Sequence, residues 1–457
     1  MREFTRVSAD VREPGPPLQH ERTTTALEDT VAQVPARPIR WTRPATWPRE
    51  VVALAAYWLG SRMVMVALVR SGKTESTEEV DRLYRGWSEV LSSGTFPVND
   101  VTWQYPPGAA LWMLAPRLLP FLTYLQAFWL LMLLADAVAQ CALLRVPLGR
   151  PGRSTSGAWL WALTLPLLLG LPYGRYDVAV TGLAVVSLLL LPARPRLAGA
   201  LAGIGAMVKV WPALTVLGTP RGRTTRQAWT ATAAAALGLL LVLAALFDHA
   251  FDFLHAQRAR GVEIESLGGT AFQVARLFGW PGLVQHHYGS MEFIGPYVRE
   301  ASQLSLLLTA AAFGWLLLWR LRARRWTAAT PYDAALSAVL LFTLTSRVIS
   351  PQYLIWLIGL AAVCLSVRGT CQRPVALLLI PVVGLTTVDY PLFFQAAMVG
   401  GWRPTVVIVA RNGLLLAAGL WSAGRLWRAT VPSAARGRRP ASEPAGPRPD
   451  ADPVRSA

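Results

Sequence analysis

Charge is scarce in this sequence: 15% of its 457 residues are Asp, Glu, Lys or Arg, against about a quarter in soluble proteins. That deficit excludes an ordinary water-soluble enzyme. Cysteine is scarcer still. Cys141, Cys364 and Cys371 form no CxxC pair, so neither a disulfide framework nor a zinc site is expected. Lysine occurs only at Lys73 and Lys209. No glycine-rich phosphate loop, nucleotide fingerprint or Ser-His-Asp order is present, so no nucleotide or other cofactor is expected. His255, His286 and His287 share one stretch with scattered carboxylates, but at no standard metal spacing, and no metal is expected. No signal peptide is visible, and the polar, Pro- and Arg-containing segments 1–48 and 429–457 are expected to be disordered cytoplasmic tails.

What the chain has is apolar length. Hydrophobic residues make up 53% of it, in runs long enough to cross a bilayer. The expected fold is therefore an all-α polytopic membrane protein with its transmembrane domain over 49–428. Spans are expected near 51–69, 123–144, 157–173, 177–192, 228–247, 301–319, 331–346, 352–367, 373–388 and 404–424. Lys209 and Pro212 interrupt the run 197–219, which suggests two half-helices that dip in and return. That makes about 12 crossings or half-crossings. The segment 106–119 fits either a short span or an interfacial piece.

The net charge of +18 invites a nucleic-acid reading, but the arginines sit in tails and in short loops between apolar runs. With both termini in the cytoplasm, the clusters at 145–153, 194–196, 221–226, 320–325 and 368–373 all fall inside, as the positive-inside rule requires. The outer face then receives the loops 70–122 and 248–300, together with "YGRYD" (173–177), "KVWP" (209–212), "SRVISPQY" (346–353) and "DYP" (389–391). Polar residues distant in sequence thus gather on one side, which is how an interfacial active site looks from sequence.

The stretch "DRLYRGWSEVLSSGTFPVNDVTWQYPPG" (81–108) follows the first span. Val80, Tyr84, Trp87 and Leu91 are spaced to form one apolar helix face. The expectation is an amphipathic helix on the outer surface, with Tyr and Trp at headgroup level, ended at Gly94 and turned back to the bilayer by "YPPG". Asp81 opens it. An acid there suits the helix dipole and can pair with Arg85 at i+4. A carboxylate at the lipid boundary can also take a proton from an acceptor hydroxyl.

Five stretches carry a resemblance. "DRLY" (81–84) with "GTFP" (94–97) and "YPPG" (105–108), "RYD" (175–177), "LAGALAGIGAMVKVWP" (197–212), "RGVEIES" (260–266) and "SPQYLIW" (350–356) occur in an order that resembles glycosyltransferase family 87 over roughly 50–425. That family uses polyprenyl-phosphate sugars and includes actinobacterial α-mannosyltransferases of lipoglycans and related arabinofuranosyltransferases. The resemblance implies the C-type glycosyltransferase fold, a multi-span helical bundle with its site on the outer side. It implies Asp81 as catalytic base and an inverting transfer to a lipid-linked or cell-envelope acceptor. The implied partners are the polyprenyl-phosphate donor, that acceptor and membrane lipids.

The other candidates carry competing roles. Lys209, inside an apolar run, should face a polar cavity, where it meets the donor phosphate or pairs with Asp177. Arg347 stands before "ISPQY" as a forked phosphate contact or an interfacial anchor. Tyr353 and Trp356 stack on sugar or isoprenoid, or belong to an aromatic belt. Arg260, Glu263 and Glu265 lie in the second outer loop, where Glu265 binds sugar hydroxyls or is merely solvated. Arg175 and Asp177 are placed to pair with each other. A transporter or lipid flippase is the rival function, since it too places charges near broken helices. It predicts internal repeats and a pathway open to both sides, and neither is evident. A structural scaffold leaves Lys209 unexplained.

Overall fold

The computed structural model describes residues 49–71, 75–98, 100–145, 153–256, 260–287 and 289–432. The expected tails lie outside these, apart from the last few residues before 433. Helices dominate: α1 (Arg49–Arg70), α2 (Arg85–Ser92), α3 (Tyr124–Arg145), α4 (Ser156–Thr164), α5 (Asp177–Leu190), α6 (Pro195–Val208), α7 (Arg223–Leu246), α8 (Leu267–Leu277), α9 (Val298–Arg322), α10 (Thr330–Thr345), α11 (Tyr353–Leu365), α12 (Arg373–Thr387) and α13 (Trp402–Thr430). Three short strands, β1 (Val262–Glu263), β2 (Leu283–His287) and β3 (Ser290–Ile294), form an antiparallel sheet in the order β1-β3-β2. β2 and β3 pair along their length, from Leu283 with Ile294 to His287 with Ser290.

Among the described residues, six helical stretches are long and apolar enough to cross a membrane. They are α1, α3, α7, α9, the stretch Arg373–Val399 that begins with α12, and α13. This is an all-α membrane protein. α4, α5, α6 and α11 are apolar but shorter than a full span requires.

Burial follows composition. α11 is hydrophobic all round, and every residue from Leu354 to Leu365 is buried, which makes it the central helix. α7 is the opposite, with 6% of its apolar window buried, so its outer surface is left to lipid. It docks through small residues: a Cβ on Gly199 of α6 would sit 2.1 Å from the Ala228 carbonyl oxygen of α7.

The bundle has two chemically different ends. Arginine-rich turns meet at one. There Ser154 bonds the Ser366 carbonyl, Arg425 bonds the Cys371 carbonyl, and Arg320 bonds Thr219 and Thr225. The stretches expected on the outer face meet at the other. α6 rises from the arginine-rich end, breaks at Lys209, and the chain returns through a six-residue 3-10 helix, Trp211–Val216. The dip and return are as expected. The second half is not an α-helix, and so short an element provides no helix N-terminus for an anion.

The loop after α1 forms its expected helical face, as a π-helical turn over Glu79–Tyr84 followed by α2. Val80, Tyr84, Trp87 and Leu91 are covered by the rest of the protein and not by lipid. Tyr84 packs on Phe128 of α3 and on Tyr176. The segment 106–119 is a run of short helical turns, from Pro107–Ala109 to Ala115–Leu118, too short to span. Gly108 lets it touch α6, since a Cβ there would lie 2.6 Å from the Met207 carbonyl oxygen.

Candidate active site

The break after α6 delivers Lys209 into an aromatic cage. Its Nζ lies 5.0 Å from the ring centroid of Tyr176, 5.2 Å from Trp356, 5.6 Å from Tyr105 and 5.7 Å from Tyr353. These distances are within cation–π range. Tyr353 and Trp356 stack on each other at 4.0 Å, and Trp211 stacks on the other side of Trp356 at 5.3 Å. Trp356 is buried, so it packs within the cage and not in a lipid-facing belt.

Asp177 holds the cage together. One carboxylate oxygen accepts from Lys209 Nζ at 2.7 Å and from Trp356 Nε1 at 2.6 Å. The expected alternative of an Arg175–Asp177 pair is not what forms. Arg175, one turn ahead of α5, meets Glu79 of the first outer loop at 2.5 Å. Two ion pairs therefore lie side by side, and their fields overlap at Tyr105. Burial pushes that phenol up to about 12; Glu79 and Asp177 add to the shift, while Arg175 and Arg260 oppose it.

The network is unfinished. The second oxygen of Asp177, the Tyr84 hydroxyl and Trp211 Nε1 are buried and make no hydrogen bond in the structure. Native interiors seldom leave such groups alone without a functional reason or an absent ligand or water.

Asp81 stands apart. Its side chain is more than half exposed and faces Arg85 at 3.9 Å, the pairing that its position at the helix start allows. Glu79, two residues earlier and mostly shielded, is the carboxylate that this loop turns inward. The sequence reasoning missed it. The signal was present: two residues apart on a helix point to different faces, so the acids at 79 and 81 could not both face the bundle.

A second cluster lies above the cage. Arg347 donates to the Arg260 carbonyl and to Ser302, and Arg260 faces Glu292 at 3.7 Å. Glu263 accepts from Ile349 N at 2.7 Å and from the Ser350 hydroxyl at 3.0 Å, so "RGVEIES" and "RVISPQY" are bolted together. Burial raises Glu263 to about 7, partly opposed by Arg260 and by those two bonds. Glu265 is not solvated. It is buried, and Arg411 of α13 binds it at 3.0 Å while Asn412 binds its carbonyl. Arg411 also faces Asp389 at 3.6 Å. The sequence reading did not include Arg411; a charge midway along an apolar run was its signal.

The described residues contain no group of three or more His, Cys, Asp or Glu placed to hold a metal ion. His286 and His287 lie on β2, while the side chain of His255 falls outside the described residues.

The sequence model of glycosyltransferase family 87 matches residues 103–351, more than half of the chain, and the chain belongs to that family. It is a membrane glycosyltransferase. No curated protein and no solved structure matches it.

Proposed function

We propose that this family 87 glycosyltransferase moves mannose from a polyprenyl-phosphate donor to a hydroxyl of a lipid-linked or cell-envelope glycan acceptor, with inversion at the anomeric carbon. The cell membrane holds it with both termini in the cytoplasm and the cage at the outer face. The unfinished polar network around Asp177 is the observation that carries this reading. A sugar presents many hydroxyls and apolar ring faces, and the cage offers an unused carboxylate oxygen, an unused indole N–H and stacked aromatic walls.

Glu79 is the general base in this scheme, oriented by Arg175. It takes the proton of the acceptor hydroxyl. The hydroxyl oxygen attacks the anomeric carbon from the face opposite the phosphate. The bond between that carbon and the phosphate oxygen breaks, and the electron pair leaves with the polyprenyl phosphate. Lys209, with Arg260 and Arg347 above it, stabilises the charge that develops there. Tyr353, backed by Trp356, stacks on the sugar.

The test is transfer of labelled mannose from polyprenyl-phosphomannose to a native lipid extract by the purified protein in lipid. Glu79→Gln is expected to lower the rate by about 10²–10⁴-fold, and Asp81→Asn to leave it nearly unchanged. The reverse pattern moves the base to Asp81. Transfer only from the arabinofuranose donor changes the sugar and keeps the site. Transfer from neither donor overturns the polyprenyl-phosphate donor class.

A further inference from the structure

Four Lys and Arg side chains are buried among the described residues: Arg62, Lys209, Arg320 and Arg411. Three of them face a carboxylate. Arg62 has Asp136, Lys209 has Asp177, and Arg411 has Glu265 and Asp389. Arg320, in the last turn of α9, has no acid partner among the described residues. Its guanidinium donates to neutral groups, the Thr219 carbonyl and the Thr225 hydroxyl. A second cation is set against it: Arg221 donates to the carbonyls of Arg320 and Leu321 at 2.7 and 3.0 Å. Buried charges are ordinarily paired, so two like charges clasped together call for an anion from outside. We propose that this clasp binds the headgroup phosphate of an anionic phospholipid, with an acyl chain lying along α9.

The surroundings favour a lipid over a free anion. Both bonds of Arg221 leave through Nη2, and its side chain is exposed, so the rest of the guanidinium faces outward. Arg226 and Arg322 are exposed on the neighbouring turns of α7 and α9, and the first turn of α7 carries no acid. Trp326 and Trp229 flank the Arg320 guanidinium at 4.8 and 5.9 Å, and Trp229 is itself exposed. Tryptophan at such a place suits the boundary between headgroups and hydrocarbon. Leu317 and Phe313 lie three and seven residues before Arg320, hence on the same face of α9, and both are exposed. α7 is the least buried of the long helices. An apolar track therefore starts at the cationic clasp, and only an anion that carries a hydrocarbon chain uses both.

The phosphate neutralises a joint between α9 and the turn before α7. That turn follows the 3-10 helix on which the chain returns from Lys209. The inference does not depend on which sugar, donor or acceptor the enzyme uses.

The experiment is native mass spectrometry of the whole protein in detergent, titrated with phosphatidylglycerol or with phosphatidylcholine. Wild type should retain one phosphatidylglycerol at concentrations that leave phosphatidylcholine unbound. Arg221→Gln, at an exposed position, should weaken that binding about fivefold, the worth of one arginine facing an anionic headgroup. Arg226→Gln, at the start of α7, should act in the same direction and decides the matter if Arg221→Gln does not fold. Arg82→Gln removes an exposed arginine that pairs with Glu78 at the other end, and it should leave binding unchanged. Phosphatidylglycerol should also raise the melting temperature of wild type more than that of Arg221→Gln. Equal retention of phosphatidylcholine, unchanged binding by the Arg221 and Arg226 variants, or an equal loss in Arg82→Gln overturns the inference. Equal stabilisation by inorganic phosphate overturns it too, since the clasp is then a site for free anions.

Discussion

Asp136 and Asp177 are both buried carboxylates that hold a cation inside the same bundle, and they differ in how completely their surroundings satisfy them. Asp136 accepts from Arg62 at 2.8 and 3.3 Å, from Trp161 at 2.7 Å, from Tyr173 at 2.9 Å and from Trp58 at 3.3 Å. Neither of its oxygens is left over, and the guanidinium of Arg62 is equally spent. Asp177 uses one oxygen for Lys209 and Trp356 and leaves the other unbonded, beside Trp211 and Tyr84 with the same deficit. A network finished by the protein itself fastens helices: Arg62 and Asp136 tie the loosely packed α1 to α3 and α4. A network left open can take a further partner. The cations differ accordingly. Arginine cannot shed its proton, whereas a lysine amine can change partner or charge state.

The sharpest way to break this comparison is to neutralise each carboxylate in turn. Asp136→Asn strands Arg62 as a buried charge without a counter-ion, and about 3–5 kcal/mol of stability should be lost. Its measure is folded yield and melting temperature in detergent. Asp177→Asn should leave the fold largely intact, because the amine can lose its proton. Transfer should fall by about 10²–10³-fold, the scale of a lost polar contact to the reacting centre. If Asp177→Asn unfolds the protein while Asp136→Asn only slows it, the two assignments are exchanged.

A repair experiment sharpens the same point. Replacing Arg62 and Asp136 together by Met and Leu removes both charges, so it should recover most of the ~3–5 kcal/mol lost by Asp136→Asn. The double change Lys209→Met with Asp177→Leu also leaves no unpaired charge, and the protein should fold. It should not transfer sugar, because what it removes is recognition and not a fastening. Recovery of transfer by that second pair would make Asp177 structural.

Much of this architecture is written in local pattern. Apolar runs marked the helical, membrane character of the chain, because hydropathy acts on short stretches. The break at Lys209 was legible for the same reason. The destination of the first outer loop was not. The spacing of Val80, Tyr84, Trp87 and Leu91 defines a face and says nothing of whether lipid or protein covers it. Choosing between Glu79 and Asp81 depended on that destination. The partners of Arg175 and Glu265 were equally hidden: Glu79 and Arg411 come from segments far away in the chain, and only the packed bundle brings them together.

Trp356 offers an effect of intermediate size. Its Nε1 bonds the same oxygen of Asp177 as Lys209 does. Trp356→Phe keeps a ring over Lys209 and removes that donor. It should cost about 1–3 kcal/mol in transfer, seen as a lower kcat/KM with the fold retained. The matching change beside Asp136, Trp161→Phe, should appear in melting temperature and not in transfer.

A last test concerns Glu263, a buried carboxylate that lies between the two extremes. It accepts two hydrogen bonds, from Ile349 and Ser350. Burial therefore wins and lifts it from 4.5 to about 7. The folded state then holds a proton that the unfolded chain gives up earlier, so stability must fall as pH rises between those values. Glu263 contributes fully below 4.5, and its contribution is gone once pH passes about 7. The melting temperature of the wild type should decline from pH 5 to pH 7.5 more steeply than that of Glu263→Gln, and the two curves should run parallel above that. Identical slopes across the whole range would mean that the carboxylate stays charged, with the amide of Ile349 and the hydroxyl of Ser350 outweighing its burial.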